Sequence, residues 1–287
     1  MSSMYESDPH DERGTLGQGN RDASPLLLAR LIEGEIIPRL LLAHRVDAVA
    51  AIVVPQGAAI TADEADAFVP EVLALEVPAL LAQIEAIMLR GITVESVYLD
   101  LLTPVARGLG EWWERDACDF VDVTMGLWRL QQIVHELAAR MPVPMTARGG
   151  DRRAFFTVAP GNQHSFGLVM IEEFFRRAGW QTWSAAAPSQ AELTDMVGRQ
   201  WFELVGFTMT CDDQLHQLPL TIAAVRQASR NPALAVMVGG PIFNDRPELA
   251  QMVGADATAA DGKLAVKKAE KLLELHGRRP PAAAGFG

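Results

Sequence analysis

The hydrophobic positions of the chain follow different periods on the two sides of residue 141. From residue 26 to residue 140, apolar side chains recur every three or four positions, as on one face of an α-helix. The pattern predicts a first helix that begins near Leu26, then helices over residues 62–89, 92–113 and 119–141. In the last of these the predicted inward face is Val123, Leu127, Leu130, Val134 and Leu137. Four amphipathic helices of this kind predict a helical bundle.

Beyond the bundle, short apolar runs of strand length alternate with helical segments. The predicted strands cover residues 153–159, 181–184, 204–209, 233–238 and 255–257. The predicted helices cover residues 165–178, 190–199, 214–228, 247–251 and 263–275. Five strand–helix units predict an α/β fold, with a parallel sheet and helices on both faces. Such sheets bind ligands at the carboxyl ends of their strands, where the strand order reverses.

Composition divides the chain into five regions. Residues 1–24 are polar and poor in apolar side chains, which predicts a disordered arm. The bundle then covers residues 25–141. Two prolines and two glycines make residues 142–151 a linker to a sheet domain over residues 152–277. Residues 278–287 are predicted to form a flexible tail.

The charge balance narrows the classes of partner. The 287 residues carry 25 basic and 36 acidic side chains, a net charge of −11. Direct nucleic-acid binding is therefore not expected, because it depends on basic residues that neutralise phosphates. Two cysteines without paired spacing, and the lack of a signal-like start or a membrane-length apolar run, favour a cytoplasmic protein. Its expected partners are small molecules or other proteins, and not a membrane.

Residues suited to hold a cofactor follow three of the predicted strands. After the first strand come Asn162, Gln163, His164, Ser165, Phe166 and Gly167. Thr208, Met209 and Thr210 end the third strand, and Gly239 and Gly240 follow the fourth. An imidazole at the end of the first strand can reach out of the sheet and ligate a cofactor metal. Small and hydroxyl-bearing residues at the other two ends leave room for a planar group beside the sheet.

This order of motifs resembles the cobalamin-binding domain of corrinoid proteins such as methionine synthase. That family carries Asp-x-His-x-x-Gly, then Ser-x-Leu, then Gly-Gly, and Asp261-Gly262 matches its last loop. The resemblance implies a flavodoxin-like fold and a cobalamin cofactor, with His164 as the lower ligand of the cobalt in place of the benzimidazole tail. It also implies that the displaced tail enters a slot between the hydroxyl and glycine loops, and that the bundle caps the upper face of the corrin.

Two departures from related proteins alter what the resemblance implies. Asn162 stands where the family has aspartate; it can accept a hydrogen bond from the imidazole but adds no negative charge, so the cobalt–histidine bond should be weaker. Cobalamin photoreceptors carry a Trp on the bundle, followed after nine residues by Glu-His. Trp113 matches that Trp, but Val123 and Thr124 replace Glu-His, so no upper ligand is expected from these positions. Trp113 can be interpreted equally well as part of the bundle core or as a contact of the corrin. Trp128 is interpreted as part of the bundle core.

This combination is similar to a narrower group, the photosynthesis-gene antirepressors of purple bacteria of the PpaA/AerR type. The similarity implies a regulator rather than an enzyme, one that binds a CrtJ/PpsR-like repressor protein in response to light and cobalamin state. It further implies preference for hydroxocobalamin or aquocobalamin over the adenosyl form. Two alternatives stay open: the corrinoid shuttle of a methyltransferase system, and a flavin or other nucleotide module on the same fold.

Overall fold

The computed structural model describes residues 59–141, 151–159, 166–210 and 215–276. The predicted arm, the first predicted helix, nearly all of the linker and the predicted tail lie outside these ranges. No helix within the described residues combines the length and the apolar character needed to cross a membrane.

The described part of the bundle contains more breaks than the periodicity predicts. Its elements are α1 (Ala62–Ala74), α2 (Val77–Met88), α3 (Val94–Ser96), a π-helical segment (Val97–Leu102), α4 (Thr103–Glu114) and α5 (Phe120–Arg140). The prediction of one helix over residues 62–89 is wrong, because Leu75 and Glu76 are extended. Pro78 explains the break: within a continuous helix, its ring would clash with the carbonyl of Ala74.

The second half of the described chain forms a five-stranded parallel sheet. Its strands are β1 (Arg153–Val158), β2 (Gln181–Ala185), β3 (Leu204–Thr208), β4 (Ala235–Gly239) and β5 (Ala257–Thr258), in the order β2-β1-β3-β4-β5. The helices are α6 (Phe166–Arg177), α7 (Gln190–Arg199), α8 (Leu218–Ala228), α9 (Pro241–Asp245), α10 (Leu249–Met252) and α11 (Gly262–His276). This strand order reverses direction between β1 and β3, so the predicted doubly wound, flavodoxin-like fold is confirmed.

Alternate strand residues supply two apolar layers. Phe155, Val205 and Val236 face one layer, which is shared with α7, α8 and α10. Ala235 and Met237 face the other, which is shared with α6 and α11. The sheet is therefore buried on both sides, as its nearly continuous apolar strands require.

Helix α6 joins the sheet to the bundle. Met170 and Phe174 belong to the buried cluster of the bundle, and the Phe174 ring meets the Tyr98 ring edge-on at 5.9 Å between centroids. Arg176 donates to the backbone carbonyl of Ala138 at 3.4 Å. Apolar packing along α6 and polar contacts at its C-terminal end thus fix the two halves to each other.

An ion pair reinforces this junction. The Arg177 guanidinium donates to the Glu95 carboxylate at 2.6 Å, and only 14% of the Arg177 side chain is exposed. Burial alone would raise the pKa of Glu95. The hydrogen bond and the positive charge of Arg177 outweigh burial, and the net effect is a lowered pKa. A carboxyl group whose pKa is lowered by folding stabilises the folded state above its ordinary pKa, and this contribution disappears as the pH falls through the lowered value.

We therefore expect Glu95→Gln to lower the free energy of unfolding by about 1 kcal/mol at neutral pH, since a charged hydrogen bond is lost at a partly exposed site. Denaturant titrations at several pH values measure this. The difference from the unmodified protein should shrink as the pH falls below the ordinary pKa of glutamate. The matched control is Glu85→Gln, whose ion pair with Arg140 is about half exposed on both sides and should contribute less. Equal losses in the two variants, or a loss independent of pH, would contradict this account of the junction.

Candidate functional site

The carboxyl ends of the three central strands lie in one row. Val158 of β1 is level with Thr208 of β3, and Thr208 is level with Gly239 of β4. Two hydrogen bonds extend the row, from the Ala159 N–H to the Thr208 carbonyl at 2.8 Å and from the Met209 N–H to the Gly239 carbonyl at 2.9 Å. The sheet thus brings the hydroxyl and glycine motifs together at the edge where parallel sheets bind ligands.

Strand alternation determines which of these residues face α6 and α11. Thr208 lies on the same side of β3 as Leu204, and Gly239 on the same side of β4 as Ala235 and Met237, all of which face those helices. A Cβ placed on Gly167, in the first turn of α6, would lie 3.5 Å from the Thr208 hydroxyl oxygen. The Thr208 hydroxyl is therefore held between the end of the sheet and the start of α6.

The two consecutive glycines have different structural roles. A Cβ added to Gly239 would meet no atom of the described residues within 4 Å, so among these residues open space lies beside β4 at this edge. Gly240 has a φ of +105°, and a Cβ there would collide with the Met209 carbonyl. Gly240 is thus required by the turn into α9, whereas Gly239 leaves room for another group. We call the space bounded by Gly167, Thr208 and Gly239 the slot.

Other predicted cofactor contacts have structural roles. The Asp261 carboxylate accepts the N–H of Leu264 at 2.7 Å and caps the start of α11. A Cβ on Gly262 would collide with the Phe174 ring, so this glycine lets α11 approach α6. Phe166 packs against the bundle cluster. These residues shape the surroundings of the slot.

Two further predicted contacts differ in their placement. The Met209 side chain is buried in the cluster shared with α7, α8 and α10, so it points away from the slot. Thr210, half-buried, follows Met209 at the same edge of the sheet.

The predicted cobalt-ligand loop lies outside the described residues. Asn162, Gln163, His164 and Ser165 belong to the segment between Ala159 and Phe166, and Cys211 also falls outside. Within the described ranges, no group of three or more His, Cys, Asp or Glu side chains could hold a metal ion.

An exposed apolar surface marks the first half of α5. Val121, Met125 and Trp128, spaced by four and three residues, are 63%, 41% and 47% exposed, and Trp113 at the end of α4 is 51% exposed. The interpretation of Trp128 as core is therefore wrong. The buried face of α5 runs through Leu130, Val134 and Leu137, as predicted, while Val123 and Leu127 on the same predicted face are half-buried. In the sequence this surface is visible as a second apolar stripe, Val121, Met125 and Trp128, beside the predicted inward face.

The contacts between α5 and α6 lie away from this surface. The two helices contact each other, and the carbonyls of Ala138 and Met141 near the end of α5 accept hydrogen bonds from arginines at the end of α6. The exposed residues Val121, Met125 and Trp128 lie in the first half of α5, at the opposite end of the helix from these contacts. The start of α6, which lies at the slot, is likewise at the opposite end of α6 from these contacts.

The two positions that replace Glu-His offer no free ligand on α5. Val123 is an apolar, half-buried side chain. The Thr124 hydroxyl donates to the Phe120 carbonyl in the preceding turn at 2.7 Å. That no upper ligand comes from these positions stays a prediction from the sequence.

Comparisons with known proteins agree with this geometry. Residues 152–269 match the family model of the B12 binding domain. A protein of Rhodobacter capsulatus described as an uncharacterized 20.5 kDa protein in the bchF-crtJ intergenic region is 23% identical over 177 residues, which are 62% of this chain and 92% of that protein. The monomethylamine corrinoid protein of Methanosarcina barkeri superposes with a TM-score of 0.61 at 14% identity, over 73% of this chain and 98% of that one.

These matches bear on both resemblances suggested by the sequence, the general one to corrinoid proteins and the narrower one to the photosynthesis-gene antirepressors. The likeness to the Methanosarcina protein concerns the fold, and it extends across the bundle as well as the sheet. The Rhodobacter relative agrees with the narrower resemblance, since its name places it beside crtJ. The resemblance to corrinoid proteins is confirmed, since residues 152–269 match the family model of the B12 binding domain and the fold is shared with a corrinoid protein.

Proposed function

We propose that this chain is a cobalamin-dependent regulator that binds a transcriptional repressor, rather than an enzyme. The observation that carries the proposal is the open slot at the ends of β3 and β4, and the exposed apolar surface on α5 supports it. A planar corrin with a nucleotide tail requires both a space beside the sheet and an apolar covering. Bound cobalamin would supply a cobalt centre whose upper ligand can be exchanged and whose alkyl forms are cleaved by light.

In this proposal the lower face depends on His164. Its imidazole binds the cobalt, since imidazole nitrogen suits a metal of intermediate softness. Asn162 accepts the hydrogen bond of the other imidazole nitrogen and so sets its tautomer. An amide adds no negative charge, so the imidazole is less basic than one paired with aspartate. That property suits a sensor better than a methyl-group shuttle, which needs a tunable cobalt.

The slot receives the displaced benzimidazole tail. Thr208 offers a hydroxyl that can donate to or accept from the tail, and Gly239 leaves open space for a flat group. The glycine at position 167 keeps the first turn of α6 from closing this space. Gln163, Ser165, Phe166 and Thr210 are proposed to border the tail and the corrin edge, together with the backbones of Met209, Gly240, Asp261 and Gly262.

The bundle sets which upper ligand fits. Val123 and Thr124 cannot ligate cobalt, and the bulk of Trp113 and Met125 restricts the space above the corrin. We therefore propose a preference for water or hydroxide over an adenosyl group. Light then acts indirectly, by removing alkyl groups from free cobalamin and so producing the form that binds.

The partner is proposed to be a repressor of the CrtJ/PpsR type. Two observations support this partner. The Rhodobacter capsulatus relative is named for the bchF-crtJ intergenic region. The net charge of −11 favours a protein partner over direct contact with DNA. Occupation of the slot and of the apolar surface on α5 would change the surface presented to that partner.

The first test removes the proposed cobalt ligand. We expect His164→Ala to abolish or strongly weaken hydroxocobalamin binding and to shift the absorption spectrum of any cofactor that still binds. Equilibrium dialysis and absorption spectra measure both quantities. His135→Ala, at an exposed position on α5, is the control and should bind normally. Normal binding and an unchanged spectrum in His164→Ala would contradict the ligand assignment.

A second test fills the slot. Gly239→Val should lower hydroxocobalamin affinity by at least about tenfold, because the added methyl groups enter the space proposed for the tail. The melting temperature should stay within about 4 °C of the unmodified protein, since valine is favoured in strands and its Cβ meets no atom. Gly110→Val, which also adds a Cβ in open space but lies on α4, is the matched control. Retained affinity in a folded Gly239→Val protein would show that the tail lies elsewhere.

A third test concerns ligand choice and partner. Titrations in the dark should give tighter binding of hydroxocobalamin than of adenosylcobalamin, and purified repressor should be retained differently by the loaded and unloaded protein. Methyl transfer to a substrate by the loaded protein would favour the shuttle alternative. Tighter adenosylcobalamin binding would indicate a direct photoreceptor instead.

A further inference from the structure

All four lysines of the chain lie within nine residues of one helix. They are Lys263, Lys267, Lys268 and Lys271, and every other basic side chain before and after them is an arginine or a histidine. Lys268 is used within the fold: its ammonium group donates to the Thr258 carbonyl at 2.6 Å, beside the edge strand β5. The other three recur every fourth residue and are exposed, so they form a stripe along α11. We call Lys263, Lys267 and Lys271 the lysine stripe.

The lysine stripe has no acidic counterpart of its own. Within the described residues none of the three ammonium groups has an ion pair or hydrogen bond, and Glu270 on the same helix is paired with Arg152 instead. Like charges spaced by one helical turn destabilise a helix slightly. A partner bearing carboxylates would remove this repulsion.

A surface of the opposite charge is present on the same chain. Residues 59–141 carry five arginines against fourteen acidic side chains, a net charge of −9 out of −11 for the whole chain. Five exposed acids cluster between the end of α4 and the first turn of α5: Glu111, Glu114, Asp116, Asp119 and Asp122. We call this cluster the acidic turn. Among the residues that the structure describes, its cation partner is Arg115, which is paired with Glu111.

Both surfaces also carry exposed apolar side chains. Leu275 follows the lysine stripe by one turn of α11 and is 71% exposed. Phe120 and Val121 lie within the acidic turn and are 72% and 63% exposed. Each surface therefore combines one sign of charge with an apolar contact, which is the composition of an interface core with a charged rim.

We propose that the lysine stripe docks on the acidic turn of a second copy of this chain. The contact joins two different surfaces, so it is heterologous: it closes into a dimer if two such contacts form at once, and otherwise extends head to tail. The proposal does not depend on the regulatory function, since both surfaces are present without a cofactor. It places the interface beside the exposed apolar surface of α5, so cobalamin state and assembly would influence each other.

The lysine stripe can be tested by charge reversal. We expect the unmodified protein to sediment above its monomer mass of 31.2 kDa at physiological ionic strength, and to dissociate at about 1 M salt, where the screening length falls to about 3 Å. Lys263→Glu/Lys267→Glu/Lys271→Glu should weaken self-association by at least about tenfold. Arg107→Glu/Arg199→Glu/Arg230→Glu makes the same change in net charge at exposed positions off the stripe and should still associate.

Mixing two reversed variants gives the sharper test. Glu111→Lys/Glu114→Lys/Asp116→Asn changes the net charge of the acidic turn, counted with Arg115, from −4 to +1. Lysine is favoured by the helix dipole at the end of α4, asparagine suits the positive φ of Asp116, and the caps of α5 are untouched. This variant and the stripe variant should each be monomeric alone and associate when mixed, because the acidic helix of one then meets the basic turn of the other. Far-ultraviolet circular dichroism checks that each is folded. An unmodified protein that is monomeric at all concentrations, or variants that fail to associate when mixed, would overturn the proposal.

Discussion

Helix α6 is the constraint on which the rest of this structure depends. Its first turn lies against the Thr208 hydroxyl at the end of β3, its middle meets α11 where Gly262 lies against the Phe174 ring, and its end carries the arginines that hold the bundle. A single rigid helix therefore sets the width of the slot and the position of α5 relative to it. Any change at the start of α6 is transmitted to the bundle through packed side chains, since such interiors do not deform gradually.

Buried apolar side chains and paired arginines together explain why the junction between the sheet and the bundle can be rigid. Phe174 and Met170 place apolar surface in the bundle core, while Arg176 and Arg177 satisfy backbone carbonyls and carboxylates at its edge. The buried Glu173 is neutralised by two bonds from Arg176, at 2.6 and 2.9 Å. A buried carboxylate is tolerated only when it is paired in this way. The junction is accordingly specific in geometry, which a covering over a bound cofactor requires.

Most of the fold can be predicted from the sequence because two patterns are strong. Apolar residues recur every three or four positions in the bundle, and apolar strand-length runs alternate with helical segments in the sheet domain. The sequence predicts α6 over residues 165–178, and the helix is observed as Phe166–Arg177. All five strands are predicted, although β4 and β5 each begin two residues later than predicted. The break at Leu75 and Glu76 was missed because apolar spacing continues across it, while Pro78 acts through backbone geometry. The exposure of Trp128 and the arginine contacts of α6 depend on which surfaces meet in three dimensions, and periodicity does not report that. At the site, motif order gave Thr208 and Gly239, but it could not separate the open space at Gly239 from the strained turn at Gly240.

The most direct test of the central claim is the identity of the nitrogen bound to cobalt. Electron paramagnetic resonance of the protein loaded with cob(II)alamin reports that nitrogen as a splitting of the cobalt lines. With histidine labelled by nitrogen-15, and unlabelled cofactor, ligation by His164 predicts that the triplet from nitrogen-14 becomes a doublet, because the nuclear spin changes from one to one half. A triplet that persists in the labelled protein would show that benzimidazole still holds the cobalt, and it would contradict the account of His164 and the slot.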